Sequence, residues 1–145
     1  MANRFMSDGA KIFSGVDIKF LTTTSFRRDG QYVIFPEVYL LIQSLLNRWN
    51  KFSVKFGIEN DTSKILANFC RVKEYALQTQ NFLLEHQTIG GFCGSMKINF
   101  VGNALINNLL AILFNYANYA GVGIKTALGM GATKTILGRV GKVSK

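Results

Sequence analysis

The sequence offers little material for covalent or metal chemistry. Its 145 residues include one histidine, one proline, one tryptophan and two cysteines. Cys70 and Cys93 cannot build a disulfide framework, which suits a reducing, cytoplasmic setting. Neither has His or Asp companions at ligand spacing, so no metal and no cofactor is expected. Paired carboxylates and a Ser-His-Asp pattern are missing as well. The longest apolar run, Leu109 to Phe114, is far short of the ~20 residues of a membrane span, so no membrane partner is expected. Met1 to Lys11 lacks the apolar stretch of a secretory signal.

Negative charge is absent from the C-terminal part. All eight acids (Asp8, Asp17, Asp29, Glu37, Glu59, Asp61, Glu74, Glu85) precede His86, whereas Lys97, Lys125, Lys134, Arg139, Lys142 and Lys145 follow it, within a formal net charge of +9. A field of one sign over residues 86–145 favours a polyanion, most often nucleic acid. What the chain has in quantity is apolar side chains, 48% against 17% charged. That balance excludes intrinsic disorder and suits one domain with a real core.

Val16, Ile18 and Phe20 alternate with Asp17 and Lys19, the period of a half-buried strand that continues through Thr22 to Ser25. Arg28-Asp29-Gly30 is a turn leading to a short extended piece, Tyr32 to Phe35. After Pro36, the spacing of Val38, Leu41, Ile42, Leu45 and Trp49 predicts an amphipathic helix, with Glu37, Gln43, Asn47, Arg48 and Lys51 on its outer side. Asp61 or Thr62 is the expected cap of a short second helix, with Ile65, Leu66 and Phe69 inward. Arg71 to Glu85 reads as a long strand, followed by a turn near His86 to Gly91. Phe92, Met96, Ile98 and Phe100 mark its hairpin partner. A helix from Gly102-Asn103 to about Tyr119 is expected to bury Leu105, Leu109, Ile112, Leu113, Tyr116 and Ala120, with Asn108 and Asn115 outside. Ala132 to Leu137 is the last strand. The order strand, helix, strand, strand, helix, strand is the ferredoxin-like (RRM-like) βαββαβ plan, an α+β fold with an antiparallel sheet and both main helices on one face. Domain bounds follow: an N-terminal segment 1–14, the domain 15–137 and a basic tail 138–145.

The most specific local feature is Gly121-Val-Gly-Ile-Lys-Thr-Ala-Leu-Gly-Met-Gly131. Ile124 separates Gly123 from Lys125 and the loop follows a helix, so it is no Walker loop. Thr126 stands where a dinucleotide fingerprint needs glycine. Two readings remain: a loop whose free N–H groups face an anion, or a connection whose glycines serve only close packing.

Four ordered segments carry a resemblance. Phe20-Leu-Thr-Thr-Thr-Ser-Phe26, Phe35-Pro-Glu37 with Ser44-Leu-Leu-Asn-Arg-Trp-Asn50, Gly91-Phe-Cys-Gly94, and the stretch from Tyr119 to Gly131 resemble the motifs of the CRISPR repeat-processing endoribonucleases, the Cas six family of the RAMP superfamily. Thr23 departs from that pattern, standing where proline is usual. The likeness covers nearly the whole chain but only the second of the family's two tandem ferredoxin-like domains. It implies binding of CRISPR repeat RNA or crRNA, and metal-free cleavage in which a 2′-hydroxyl attacks the neighbouring phosphate. The family's histidine generally lies in the other domain, so the sole histidine, His86, matches no catalytic position and is the one weak acid–base candidate here.

Basic side chains grip phosphates, so the expected RNA contacts are Lys125 and Thr126, Gly121, Gly123, Gly129 and Gly131 of the loop, Arg27 and Arg28 after the first strand, and Lys97 and Lys134 on strands. Tyr32, Trp49, Phe92 and Phe100 read as core from their periodicity. Three readings follow: an RNA-binding domain whose acid–base groups come from an N-terminal partner domain or other Cas subunits; a self-sufficient ribonuclease using His86 or a homodimer; or a structural RNA-holding component of a CRISPR ribonucleoprotein. The face that would meet a partner domain is expected to be apolar and to invite self-association.

Overall fold

A computed structural model describes residues 13–52 and 60–139. The N-terminal segment up to residue 12, residues 53–59 and the tail from residue 140 lie outside the described residues.

Strand β1 (Phe13–Thr24) alternates as expected, burying Val16, Ile18 and Phe20 and turning Asp17 and Lys19 outward. It is followed by a small hairpin, β2 (Phe26–Arg28) and β3 (Gln31–Val33), whose two-residue turn places Asp29 and Gly30 at positive φ of 54° and 78°. That is the turn that suits strand twist. Helix α1 (Val38–Phe52) sends Leu41, Ile42 and Leu45 into the core with no exposed surface, while Trp49 stays at the rim, edge-on to Tyr116. Helix α2 (Asn60–Ala67) begins one residue before the expected cap, so Asp61 and Thr62 fall in its first turn. It buries Leu66 but leaves Ile65 exposed.

Strands β4 (Cys70–Leu84) and β5 (Gln87–Phe100) form the long hairpin. The expected turn over residues 86–91 is tighter in the molecule. Pairing runs out to Leu84 opposite Gln87, so only Glu85 and His86 turn. Helix α3 (Ala104–Ala120) is capped by Asn103, whose side-chain oxygen accepts the Ile106 amide at 2.9 Å. Strand β6 (Thr133–Arg139) closes the main sheet in the order β4-β5-β1-β6, all neighbours antiparallel, which is the ferredoxin-like arrangement.

The buried face of α3 differs from the expected one. Leu110, Ala111, Leu113, Phe114 and Ala117 pack inward together with Asn107 and Asn108, and Leu105, Leu109 and Ile112 point to solvent. The helix carries two apolar stripes, so its period does not choose between them. Polar groups at its start decide: the Asn107 side-chain oxygen accepts the Gly102 amide at 3.0 Å, which stations that side chain inside. Phe100 then stacks on Phe114 at 6.0 Å, and Phe20 and Phe26 flank Phe92. Tyr32 is half-buried, whereas Phe92 and Phe100 are core as expected.

Candidate functional site

The four sequence segments singled out above meet at one end of the sheet. Between Phe20 and Thr24 the register of β1 against β5 slips, so Leu21, Thr22 and Thr23 bow away from β5. The glycine-rich loop docks into this bow. Thr22 Oγ1 donates to the Gly129 carbonyl at 2.8 Å and accepts the Ala132 amide at 2.9 Å. Gly131 N–H reaches the Thr23 carbonyl and Ile124 N–H the Ser25 carbonyl, each at 2.9 Å. Val122 N–H closes the loop on the Gly131 carbonyl at 3.0 Å.

Backbone meets backbone here without room for a side chain. A β carbon on Gly123, at φ +85°, would lie 2.3 Å from the Ser25 carbonyl oxygen; one on Gly131, at φ +73°, would lie 2.0 Å from that of Val122. The amides of Gly121, Val122, Gly123, Ile124, Gly129, Met130 and Gly131 all donate within the domain. The free N–H groups expected of this loop are therefore not found at its glycines, because the cradle has already taken them.

The other wall of the cradle is α1. Ser44 Oγ accepts the Gly123 amide at 2.9 Å, and Arg48, one helical turn later, donates through Nη1 to Ser44 Oγ at 2.6 Å. Its Nη2 donates to the Gly123 carbonyl and to Thr126 Oγ1. Arg48 was assigned to the outer side of α1 by its polarity; it is half-buried instead, and burial pulls its guanidinium below its ordinary basicity. Its spacing of four from Ser44 was the visible signal, but the group it holds lies 75 residues away in the chain.

Of the expected contact residues, the fold gathers some and scatters others. Arg27 and Gly123 line one cleft of about 230 Å³ with Phe26, Leu40, Gln43, Ser44, Asn47, Arg48 and Ile124. Lys125 is exposed at the loop's turn, in left-handed backbone at φ +55°, and Thr126 follows it in a short 3-10 turn. Arg28 is held by Glu37 through two hydrogen bonds of 3.1 and 3.0 Å, which raise its basicity. Lys97 and Lys134 stand on the sheet face opposite the helices, Lys97 3.9 Å from Asp17 and Lys134 paired in register with Lys19. His86 sits in the hairpin turn, solvent-exposed, with Glu85 at 4.0 Å as its one ionic neighbour among the described residues. No group of three or more metal-ligating side chains occurs among the described residues, and no helix there is long and apolar enough to cross a membrane.

Comparison with known proteins matches residues 18–133 to the family described as CRISPR-associated endoribonuclease Cas6. The chain is 34% identical to the CRISPR-associated endoribonuclease Cas6 of Streptococcus thermophilus over 118 residues, 81% of this chain and 49% of that protein. It is 29% identical to that of Mycobacterium tuberculosis over 120 residues, 81% of this chain and 37% of that protein. A solved Cas6 product complex superposes with a TM-score of 0.76 at 25% identity, over 92% of this chain and 55% of that one. The chain thus spans about half the length, or less, of the curated relatives it matches.

Proposed function

The chain belongs to the CRISPR-associated endoribonuclease Cas6 family, and on that premise we propose that it is the RNA-binding domain of an endoribonuclease that processes CRISPR repeat RNA. The RNA backbone is gripped by Lys125 and Thr126 at the loop's outer turn and by the basic side chains Arg27, Lys97 and Lys134. Arg28 and Lys97 contribute less, being paired with Glu37 and Asp17. The glycines act by seating the loop: they let it sink into β1 and α1 so that Lys125 is presented outward. The observation that carries this reading is the docking of the glycine-rich loop onto two other family-like segments, β1 and α1, with a basic turn at its surface.

Acid–base groups for cleavage come, in this reading, from a partner domain or another Cas subunit. Support lies in the half-length match and in the solvated setting of His86, which among the described residues has no positioned partner beyond Glu85. The outward apolar stripe of α3, Leu105, Leu109 and Ile112, is the surface offered to that partner or to a second copy of the chain.

The test is binding and cleavage of repeat RNA in EDTA. Binding is expected to weaken steeply with salt, as counterion release requires, and Lys125→Ala is expected to lower affinity about threefold to tenfold and flatten the salt slope by about one. The chain alone is expected to leave the RNA intact. Negligible binding at low salt would refute the assignment; cleavage by the wild type that His86→Ala abolishes would make the chain a self-sufficient nuclease instead.

A further inference from the structure

Among the described residues, the cleft between β2, α1 and the glycine-rich loop has a surplus of hydrogen-bond donors and no acid. Three arginines lie at this end of the molecule. Glu37 neutralises Arg28, and among the described residues no carboxylate pairs with Arg27 or Arg48. Arg27 lies over the Tyr32 ring, 5.2 Å from its centroid, and lines the cleft together with Gly123. Arg48 commits three of its five N–H groups to Ser44, Gly123 and Thr126. Ser44 Oγ already accepts two hydrogen bonds, so its O–H is left to donate, and no described protein group takes that proton. Asn47 adds an exposed amide, while Phe26, Leu40 and Ile124 supply apolar walls that strengthen the field between the charges. A volume of about 230 Å³ leaves room for one tetrahedral oxyanion with its bridging waters.

We infer that this cleft is a binding site for one phosphate group, held between Arg27 and Arg48 with Ser44 and Asn47 as additional donors. Its occupant, an assignment that rests on the RNA-binding reading above, is a phosphodiester of the bound strand. The same chemistry would take free phosphate, so the two sources need separate arms of one experiment.

That experiment follows the backbone amides of the full chain by ¹H–¹⁵N NMR during titration with inorganic phosphate, with a single-stranded repeat oligoribonucleotide, and with a poly-glutamate peptide. Chloride at equal ionic strength is the control. Phosphate is expected to shift Ser44, Asn47, Gly123 and Ile124 saturably where chloride does not, and the oligoribonucleotide to shift the same amides in competition with phosphate. Arg27→Gln, at an exposed position, is expected to weaken phosphate binding about tenfold, the loss of one charge-assisted contact. Asn47→Asp, which sets a carboxylate in the cleft without removing a described contact, is expected to abolish it.

Unshifted cleft amides, or an unaffected Asn47→Asp variant, would overturn the inference. So would a response to poly-glutamate alone, which would mark the cleft as a seat for an acidic protein segment. If the oligoribonucleotide binds while phosphate leaves the cleft untouched, the site fails and the RNA-binding assignment stands. If phosphate binds and the oligoribonucleotide does not at low salt, that assignment fails and the cleft remains a free-anion site.

Discussion

Replacing Gly123 by alanine probes the cradle directly. At φ +85° an ordinary residue pays about 1–2 kcal/mol for the left-handed backbone alone. The new β carbon would also lie 2.3 Å from the Ser25 carbonyl oxygen, about 1 Å inside the ~3.3 Å at which carbon and carbonyl oxygen normally meet. The loop must therefore lift, and the two bonds that seat it, Ile124 N–H to Ser25 and Gly123 N–H to Ser44 Oγ, both 2.9 Å, lengthen beyond use. At about 1 kcal/mol net for each, the total loss comes to about 3–4 kcal/mol, a large share of a typical domain's stability. With a urea m-value of about 2 kcal/mol/M, the midpoint of unfolding should fall by nearly 2 M. Gly30→Ala is the internal control. Gly30 also has positive φ, +78°, but open space around its β position, so its substitution should cost only about 1 kcal/mol. If the two variants differ by less than about 0.5 kcal/mol, the loop is not seated backbone against backbone. In that event the glycines would need another explanation.

Further outcomes follow from two buried groups. Ser25 is fully buried and its hydroxyl has no hydrogen-bond partner among the described residues. Ser25→Ala should therefore stabilise the domain by about 1 kcal/mol in urea melts; a loss of stability would mean that the hydroxyl is satisfied after all. Burial pushes the Cys70 thiol up to about 12, with its Sγ 3.7 Å from the Leu66 carbonyl. A thiol reagent at pH 8 should then modify half-buried Cys93 well before Cys70, and equal rates would refute the burial. Because an unfolded Cys70 ionises near its ordinary pKa of about 8.5 while the folded one keeps its proton to about 12, the unfolded state holds fewer protons in that window. Stability should fall as pH rises through it, and Cys70→Ala should flatten the fall.

Much of the fold was legible because its signals are local. The alternation of Val16, Ile18 and Phe20, the stripe Leu41, Ile42, Leu45 and the alternating strand Phe92 to Phe100 each need only neighbouring residues to be read, whereas the hairpin turn is tighter than the residues 86–91 expected for it. Helix α3 was legible as a helix but not in its orientation. Leu105, Leu109 and Ile112 are as apolar as Leu110, Leu113 and Phe114, and the choice fell to polar anchors at Gly102 and Asn107. The candidate site divided in the same way. Lys125, Thr126 and the glycines stand in one visible run, whereas Arg48 looked like any solvated helix charge.

By itself the sequence determined a basic composition, an α+β fold with its ferredoxin-like order of elements, and four segments that resemble a single family. Periodicity, turn chemistry and charge are properties of short windows or of the whole chain, and all three survive without coordinates. The tertiary structure alone decided what those segments do together. Ser44 and Gly123 are 79 residues apart and share a hydrogen bond. Arg27 and Gly123 line one cleft, and Arg28, the neighbour of Arg27 in sequence, is neutralised by Glu37. Such contacts depend on the register of β1 and on the docking of α1, so no window of sequence contains them. Whether an arginine is a ligand-binding charge or half of a surface ion pair is settled by which carboxylate the fold brings within 4 Å.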